Sequence, residues 1–306
     1  MKIMVLGAGA LGGYFGGWLA QNGADVTFLV RAPRKAQLDR DGLRIESPVG
    51  TLTRPVNAIT REKLSAPADV VLLTAKAYDL DSAIDAIHPA VGAGTAVLPI
   101  LNGITHIDRL VAEFGEGRVL GGLAKIQATL KPDGTILTMG QWNEIVFGEL
   151  DGRVSDRVAR LAALFPKPQV QAQAVPDIRT QLWRKLVHLG TVASVTTLTR
   201  QAIGIVNQTR DGAWLIESTF RSAAAIAAAE GHAMPEATIR EYLKVFNEAG
   251  STYKASMLRD MERGGRTEGA HILGYLAERA TAHGIDNPIF RIAAVNTEAY
   301  EKARAV

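Results

Sequence analysis

The stretch that decides the fold is KIMVLGAGALGG, Lys2 to Gly13. A short apolar run, Lys2 to Leu6, passes directly into Gly7-Ala8-Gly9-Ala10-Leu11-Gly12, a G-x-G-x-x-G that follows a strand and opens a helix. The first glycine permits a tight turn, the second lets the backbone approach a pyrophosphate, and the third lets the helix pack closely on the strand. The helix N-terminus, with the backbone of Ala10 and Leu11, offers free N–H groups and a partial positive charge to an anion. That helix stops at Asn22-Gly23, and a second apolar run, Asp25 to Val30, follows at the distance a β-α-β unit requires. The pattern implies dinucleotide binding. A glycine-rich packed helix, to which Gly13, Gly16 and Gly17 would also contribute, is the alternative.

The end of the second run chooses between dinucleotides. An NAD site usually presents an Asp or Glu there to the ribose 2′-hydroxyl, whereas this chain reads Phe28-Leu29-Val30-Arg31-Ala32-Pro33-Arg34 and has no acid until Asp39. NADP (as NADPH) is therefore the expected cofactor. Arg31 would make charge-assisted hydrogen bonds to a 2′-phosphate, with Arg34 or Lys35 as a second cation.

Further along, Val70 to Thr74 and Thr95 to Leu98 repeat the apolar theme around a helical stretch, Leu80 to Ile87. Alternating strands and helices predict a parallel sheet covered by helices. Leu43 to Glu46 and Leu52 to Ile59 flank Ser-Pro-Val-Gly and predict a hairpin. Ile126 to Leu130 and Ile136 to Met139 flank Pro132-Asp133-Gly134 and predict a second, with a strand at Ile145 to Phe147 beyond. After about Val175 the texture becomes helical: 178–189, 213–230, 236–247, 256–263, 270–283 and 290–305, punctuated by glycines. The expected fold is an α/β Rossmann-type domain over residues 1–175, binding NADP, followed by an all-helical domain over 176–306 for substrate and dimerisation.

Composition narrows the function classes. The 306 residues contain no cysteine, which excludes disulfides, thiolate nucleophiles and Cys-ligated metals. The 34 Lys+Arg against 31 Asp+Glu leave a net charge of +3 with no basic cluster, so no nucleic-acid partner is expected. No stretch approaches the ~20 apolar residues of a bilayer span, and no cleavage pattern follows the first residues, so no membrane partner and a cytoplasmic location are expected. Apolar faces on helical second domains commonly pair, which predicts a homodimer.

Carbonyl reduction needs a hydride donor, a proton donor and groups that hold the substrate. Lys76 in Thr74-Ala75-Lys76-Ala77 and Asn102-Gly103 both follow strands, at the carboxyl edge where open α/β sheets bind ligands. Lys185 in Leu182-Trp183-Arg184-Lys185-Leu186 reads by periodicity as a lysine on a solvated helix face. Glu268, in Arg266-Thr267-Glu268-Gly269, is as readily a residue of a helix N-terminus. Glu268 and His271 form one Glu-x-x-His with no second copy, and no H-E-x-x-H or G-x-S-x-G exists, so neither a metal nor a serine-hydrolase site is expected.

Taken together these residues resemble the ketopantoate reductase family, the NADPH-dependent 2-dehydropantoate 2-reductases, nearly end to end. The likeness is carried by KIMVLGAGALGG, Arg31, TAKAYD around Lys76, Leu101-Asn102-Gly103, QLWRKL around Lys185, Ala255 to Asp260, and Arg266-Thr267-Glu268 followed by Ala282-His283-Gly284-Ile285. The resemblance implies a second domain like that of the 6-phosphogluconate dehydrogenase group, a small 2-oxo acid substrate, ketopantoate first, and a place in pantothenate biosynthesis. It implies that Lys185 is the general acid, that Glu268 orients it and contacts substrate, and that Lys76 and Asn102 line the nicotinamide and carbonyl region. Ser256 would help hold the substrate carboxylate. The chain departs from the family at Leu189 and Ala193, where members typically carry asparagine, so two polar substrate contacts are missing. A different 2-oxo acid or a β-keto substrate is the alternative within the class, and a non-catalytic NADPH-binding sensor the alternative outside it.

Overall fold

The computed structural model describes residues 1–248 and 250–305. They form two compact units, the first of Met1–Asn102 and His106–Ile178, the second of Gly103–Thr105 and the residues from Arg179 onward.

The first unit is built on an all-parallel sheet of β1 (Lys2–Leu6), β2 (Asp25–Leu29), β5 (Asn57–Ile59), β6 (Val70–Leu73) and β7 (Ala96–Pro99), in the order β5-β2-β1-β6-β7. Helices α1 (Ala10–Gln21), α2 (Ala32–Asp41) and α3 (Leu80–Ile87) lie between its strands in the chain. Strands covered on both faces bury every residue, which is why Val70-Val71-Leu72-Leu73 and Ala96-Val97-Leu98-Pro99 read as unbroken apolar runs. The order reverses at β1, so β1 and β6 flank the topological switch point.

A second, mixed sheet joins β3 (Leu43–Ser47), β4 (Gly50–Arg54), β8 (Leu120–Leu130), β9 (Thr135–Glu149) and β10 (Gln171–Ala174). Helix α1 is wedged between the two sheets. A Cβ on its Gly16 would meet Phe28 and Val5 of the parallel sheet within 3 Å, and one on Gly17 would meet Leu43 and Ile45 of the mixed sheet. Gly16 on one side and Gly13 and Gly17 on the other thus give one helix a close-approach surface to both sheets. Helices α4 (Thr105–Phe114) and α5 (Asp156–Ala163) complete this half of the chain.

Both expected hairpins form, β3 with β4 and β8 with β9, but the extents of their strands need correction. The strand expected over 52–59 breaks at Pro55, which has no N–H to donate: Gly50–Arg54 pair antiparallel with β3, while Asn57–Ile59 leave for the other sheet and run parallel to β2. Conversely, 136–139 and 145–147 are one strand, β9, whose register against β8 slips between Ile126 and Gln127. Residues 140–142 form the resulting bulge, with Gly140 at φ +77°.

The second unit is helical. Its axis is α6 (Ile178–Thr199), longer than the 178–189 expected, and around it stand α7 (Ile203–Asn207), α8 (Gly212–Ala229), α9 (Glu236–Phe246), α10 (Ser256–Glu262), α11 (Tyr275–Ala282) and α12 (Ile289–Arg304). A π-helical turn, Ala270–Gly274, leads into α11. The C-terminal half of α6 is buried around nearly its whole circumference, although it carries Thr191, Ser194, Thr196 and Thr197. The threonines are reconciled with burial by bonding back to carbonyls one turn earlier: Thr191 to Val187, Thr196 to Val192 and Thr197 to Ala193, all at 2.7–2.8 Å.

Among the described residues no helix is long and apolar enough to cross a membrane, and no three His, Cys, Asp or Glu side chains are grouped to hold a metal ion.

Candidate active site

The carboxyl edge of the parallel sheet carries the glycine loop. Gly7 adopts φ +89° and its N–H donates to the Leu29 carbonyl at 2.9 Å, so the turn leaves β1 while staying tied to β2. Gly12 cannot be replaced: a Cβ there would lie 2.2 Å from the Gly7 carbonyl and 2.5 Å from the Thr74 hydroxyl. Gly9, the N-cap of α1, has the opposite surroundings, with no atom within 4 Å of a Cβ position.

No side chain caps α1 and no acidic residue stands in its first turn, so its leading N–H groups are left for a ligand. A dinucleotide pyrophosphate fits this cradle, since it needs open space over the second glycine and uncapped donors, and both are present. Thr74 was not singled out from the sequence. Its hydroxyl donates to the Leu6 carbonyl at 2.8 Å and clips the end of β6 to the end of β1 across the switch point. A hydroxyl closing the apolar run VVLLT was the only available signal.

The basic group after β2 is divided by the structure. Arg31 is the exposed N-cap of α2. Lys35 is paired with Asp39 at 2.6 Å. Arg34 turns inward to carbonyls of Ala8 and Gly134. Lys76 is half-buried at the start of the 3-10 turn Ala77–Asp79, where the Asp79 N–H bonds its carbonyl. Asn102 is half-buried three residues beyond β7 and precedes Gly103, whose φ of +83° turns the chain.

In the helical unit Lys185 lies on α6, half-buried, beside Trp183, Leu186 and Val187 of the core. The solvated face that periodicity suggested is not what α6 offers. Glu268 is 4% exposed, and the loop carrying it is held by α12 at three points. The Tyr300 hydroxyl donates to the Gly265 carbonyl at 2.8 Å, the Glu301 carboxylate accepts from the Thr267 N–H at 2.6 Å, and Thr297 packs so tightly that a Cβ on Gly269 would come within 2.4 Å of its hydroxyl. Burial pushes the Glu301 carboxyl up, but the bonds from Thr267 and Arg304 outweigh it and hold it below the usual carboxylate range. The π turn starts two residues after Glu268, a distortion frequent at functional sites.

Ser256 is exposed at the first position of α10. Of the two departures from the family, Ala193 is wholly buried in the helical core, while Leu189 is partly buried against it.

Two family profiles cover these halves. Ketopantoate reductase PanE/ApbA matches residues 3–152, and Ketopantoate reductase PanE/ApbA C terminal matches residues 177–301. The chain belongs to the ketopantoate reductase family. It is an oxidoreductase of that family, with the family's Rossmann-type and helical halves. The chain is 33% identical over 301 residues to the uncharacterized oxidoreductase YkpB of Bacillus subtilis strain 168, covering 98% of this chain and 99% of that one. It is 28% identical to the 2-dehydropantoate 2-reductase of Caulobacter vibrioides, over 94% of each chain. Among solved structures, the 2-dehydropantoate 2-reductase of Geobacter metallireducens GS-15 superposes with a TM-score of 0.89 at 28% identity, covering 98% of this chain and 99% of that chain.

Proposed function

We propose that the protein reduces a 2-oxo acid to the 2-hydroxy acid with NADPH, ketopantoate to pantoate first, which would place it in pantothenate biosynthesis. The observation that carries this is the uncapped, uncrowded glycine loop at the switch point of a chain that matches the family in both halves.

Bound there, NADPH supplies the hydride for the ketone carbon. The backbone of Gly7, Gly9, Ala10, Leu11 and Gly12 holds the pyrophosphate, and Arg31, exposed and without a carboxylate partner among the described residues, meets the 2′-phosphate. Lys76 and Asn102 take the nicotinamide and carbonyl region. Lys185 Nζ delivers the proton to the carbonyl oxygen as charge develops on it, and Glu268 orients that ammonium. Ser256 contributes to holding the carboxylate.

NADPH oxidation, followed by absorbance with ketopantoate, tests the assignment. Wild type should turn over, and Lys185→Ala should lose roughly 10²-fold or more of kcat while NADPH affinity stays within a factor of about two. Tight NADPH binding with no turnover on ketopantoate or any other 2-oxo acid would instead make the protein a cofactor-binding sensor.

A further inference from the structure

Arg34 has a set of partners that suits neither a surface cation nor a phosphate ligand. Its Nε donates to the Ala8 carbonyl at 3.0 Å, and its Nη1 donates to Gln37 Oε1 at 2.6 Å and to the Gly134 carbonyl at 3.2 Å. Its Nη2 is buried with no acceptor. Among the described residues no carboxylate pairs with it, while the adjacent guanidinium, Arg44, has Asp133 at 3.7 Å. Burial, and after it the Arg44 charge, pull Arg34 below the usual arginine range. A half-buried charge answered only by neutral acceptors is costly to keep, so its position calls for an explanation.

The Ala8 carbonyl supplies one. Ala8 and Gly9 share a peptide, and in a planar trans peptide the C=O and the following N–H point in opposite directions. Fixing the Ala8 oxygen on Arg34 therefore aims the Gly9 N–H the other way. Gly9 is the residue over which the loop is open, with nothing within 4 Å of its Cβ position. The far end of the strap is equally fixed, because Gly134, at φ +82°, lies in the turn between β8 and β9, and a Cβ on it would strike Gln37 and Arg34 at 2.4–2.6 Å.

We infer that Arg34 is a positioning residue for the dinucleotide pyrophosphate: it braces the Ala8–Gly9 peptide against the turn at Gly134 and sets an uncompensated positive charge behind the glycine loop. This rests on the cofactor assignment proposed above, and it gives Arg34 a task different from that of Arg31. Arg31 serves the 2′-phosphate, which NADPH has and NADH lacks. Arg34 serves the pyrophosphate, which both have.

Calorimetric titration of NADPH, NADH and 2′-AMP into the full-length protein separates the two tasks without any turnover. Arg34→Gln should weaken NADPH and NADH alike, by about 3- to 10-fold as for a lost hydrogen bond, leaving their ratio and the 2′-AMP affinity unchanged. Arg34→Lys, which keeps the charge, should recover part of the loss. Should Arg34→Gln fail to fold by circular dichroism, Gln37→Ala, which only loosens the strap, should shift both dinucleotides together by a smaller factor. The inference is overturned if these variants bind both dinucleotides as wild type does, or if they weaken NADPH and 2′-AMP while sparing NADH. Wild type that binds neither NADPH nor NADH would remove the cofactor assignment itself.

Discussion

His188 Nε2 lies 2.9 Å from the Tyr253 hydroxyl, joining the helix that carries Lys185 to the segment that leads into Ser256. The contact is enclosed by rings: His188 stacks on Phe246 with centroids 5.0 Å apart and stands 5.5 Å from Tyr242. Burial pushes the Tyr253 hydroxyl up to about 12, against a smaller opposing pull from Arg259, so the phenol remains protonated at neutral pH. The same segment is tied to α7 by the Ile203 N–H donating to the Tyr253 carbonyl at 3.0 Å. Tyr253→Phe deletes only the hydroxyl. It should cost about 0.5–1.5 kcal/mol in denaturant unfolding and raise KM for the 2-oxo acid more than it lowers kcat, with NADPH affinity unchanged. Unchanged stability and an unchanged KM would show the bond to be idle.

Arg31→Ala tests cofactor choice. Loss of a charge-assisted partner of the 2′-phosphate is worth ~1.5–3 kcal/mol, or about 10- to 150-fold in affinity. Wild type should therefore favour NADPH over NADH by about that factor, and the variant should bind both equally. Fluorescence titration of the two cofactors decides it, and equal affinities in wild type would remove the NADP assignment.

What the sequence displayed and what it hid follow from where each residue finds its partners. The glycine loop was legible because the constraints that name its glycines are short-range in the chain: Gly7 needs its φ, and Gly12 is crowded by the Gly7 carbonyl five positions earlier. Thr74, which also crowds Gly12 from the end of β6, was not legible in the same way. The break between β4 and β5 was hidden because both pieces carry strand-like residues and only the two sheets decide which piece pairs where. Helix α2 buries only Leu38 outright, so no apolar stripe announces it. Helix α6 was cut short at 189 because its buried threonines bond back to its own carbonyls, which no hydropathy pattern records. Glu268 was singled out as a residue, but the loop that carries it is fixed by Tyr300, Glu301 and Thr297, some 30 residues away.

Acid stability should be sensitive to a pair outside the site. Burial alone would raise the Glu149 carboxyl, but hydrogen bonds from Arg157, bidentate at 2.6–2.7 Å, and from Ser155 outweigh it and hold Glu149 below the usual carboxylate range. The pair fixes the end of β9 to the first turn of α5. A carboxyl depressed in the folded state contributes stability that is present above its unfolded pKa of about 4.3 and is lost as pH falls through the lower folded value. Arg157→Ala leaves burial unopposed except by Ser155. Stability at pH 7 should drop by about 1–3 kcal/mol, and the acid-unfolding midpoint, followed by circular dichroism, should move to higher pH. A midpoint that stays in place would mean the pair contributes nothing.

The last prediction concerns which 2-oxo acid fits. Ketopantoate presents a carboxylate, a ketone and a hydroxyl on a branched carbon. A site that hydrogen-bonds a hydroxyl rejects analogues lacking it by ~10⁴, whereas an apolar wall discriminates only ~10² per group. Leu189 and Ala193 replace two family asparagines, but the structure makes them unequal. Ala193 is fully buried in the helical core, so Ala193→Asn would bury an amide among apolar side chains and should cost several kcal/mol of stability from overpacking and an unmet polar group. Leu189 is only partly buried, and Leu189→Asn should fold. Wild type should therefore reduce ketopantoate with relaxed discrimination, a less polar 2-oxo acid performing comparably or better, and Leu189→Asn should shift kcat/KM toward ketopantoate. The measurement is NADPH oxidation across 2-oxo acids that differ in β-branching and in a terminal hydroxyl. A strong, exclusive preference of wild type for ketopantoate would show that other groups, with His188 and Tyr253 the first to examine, have taken over from the asparagines.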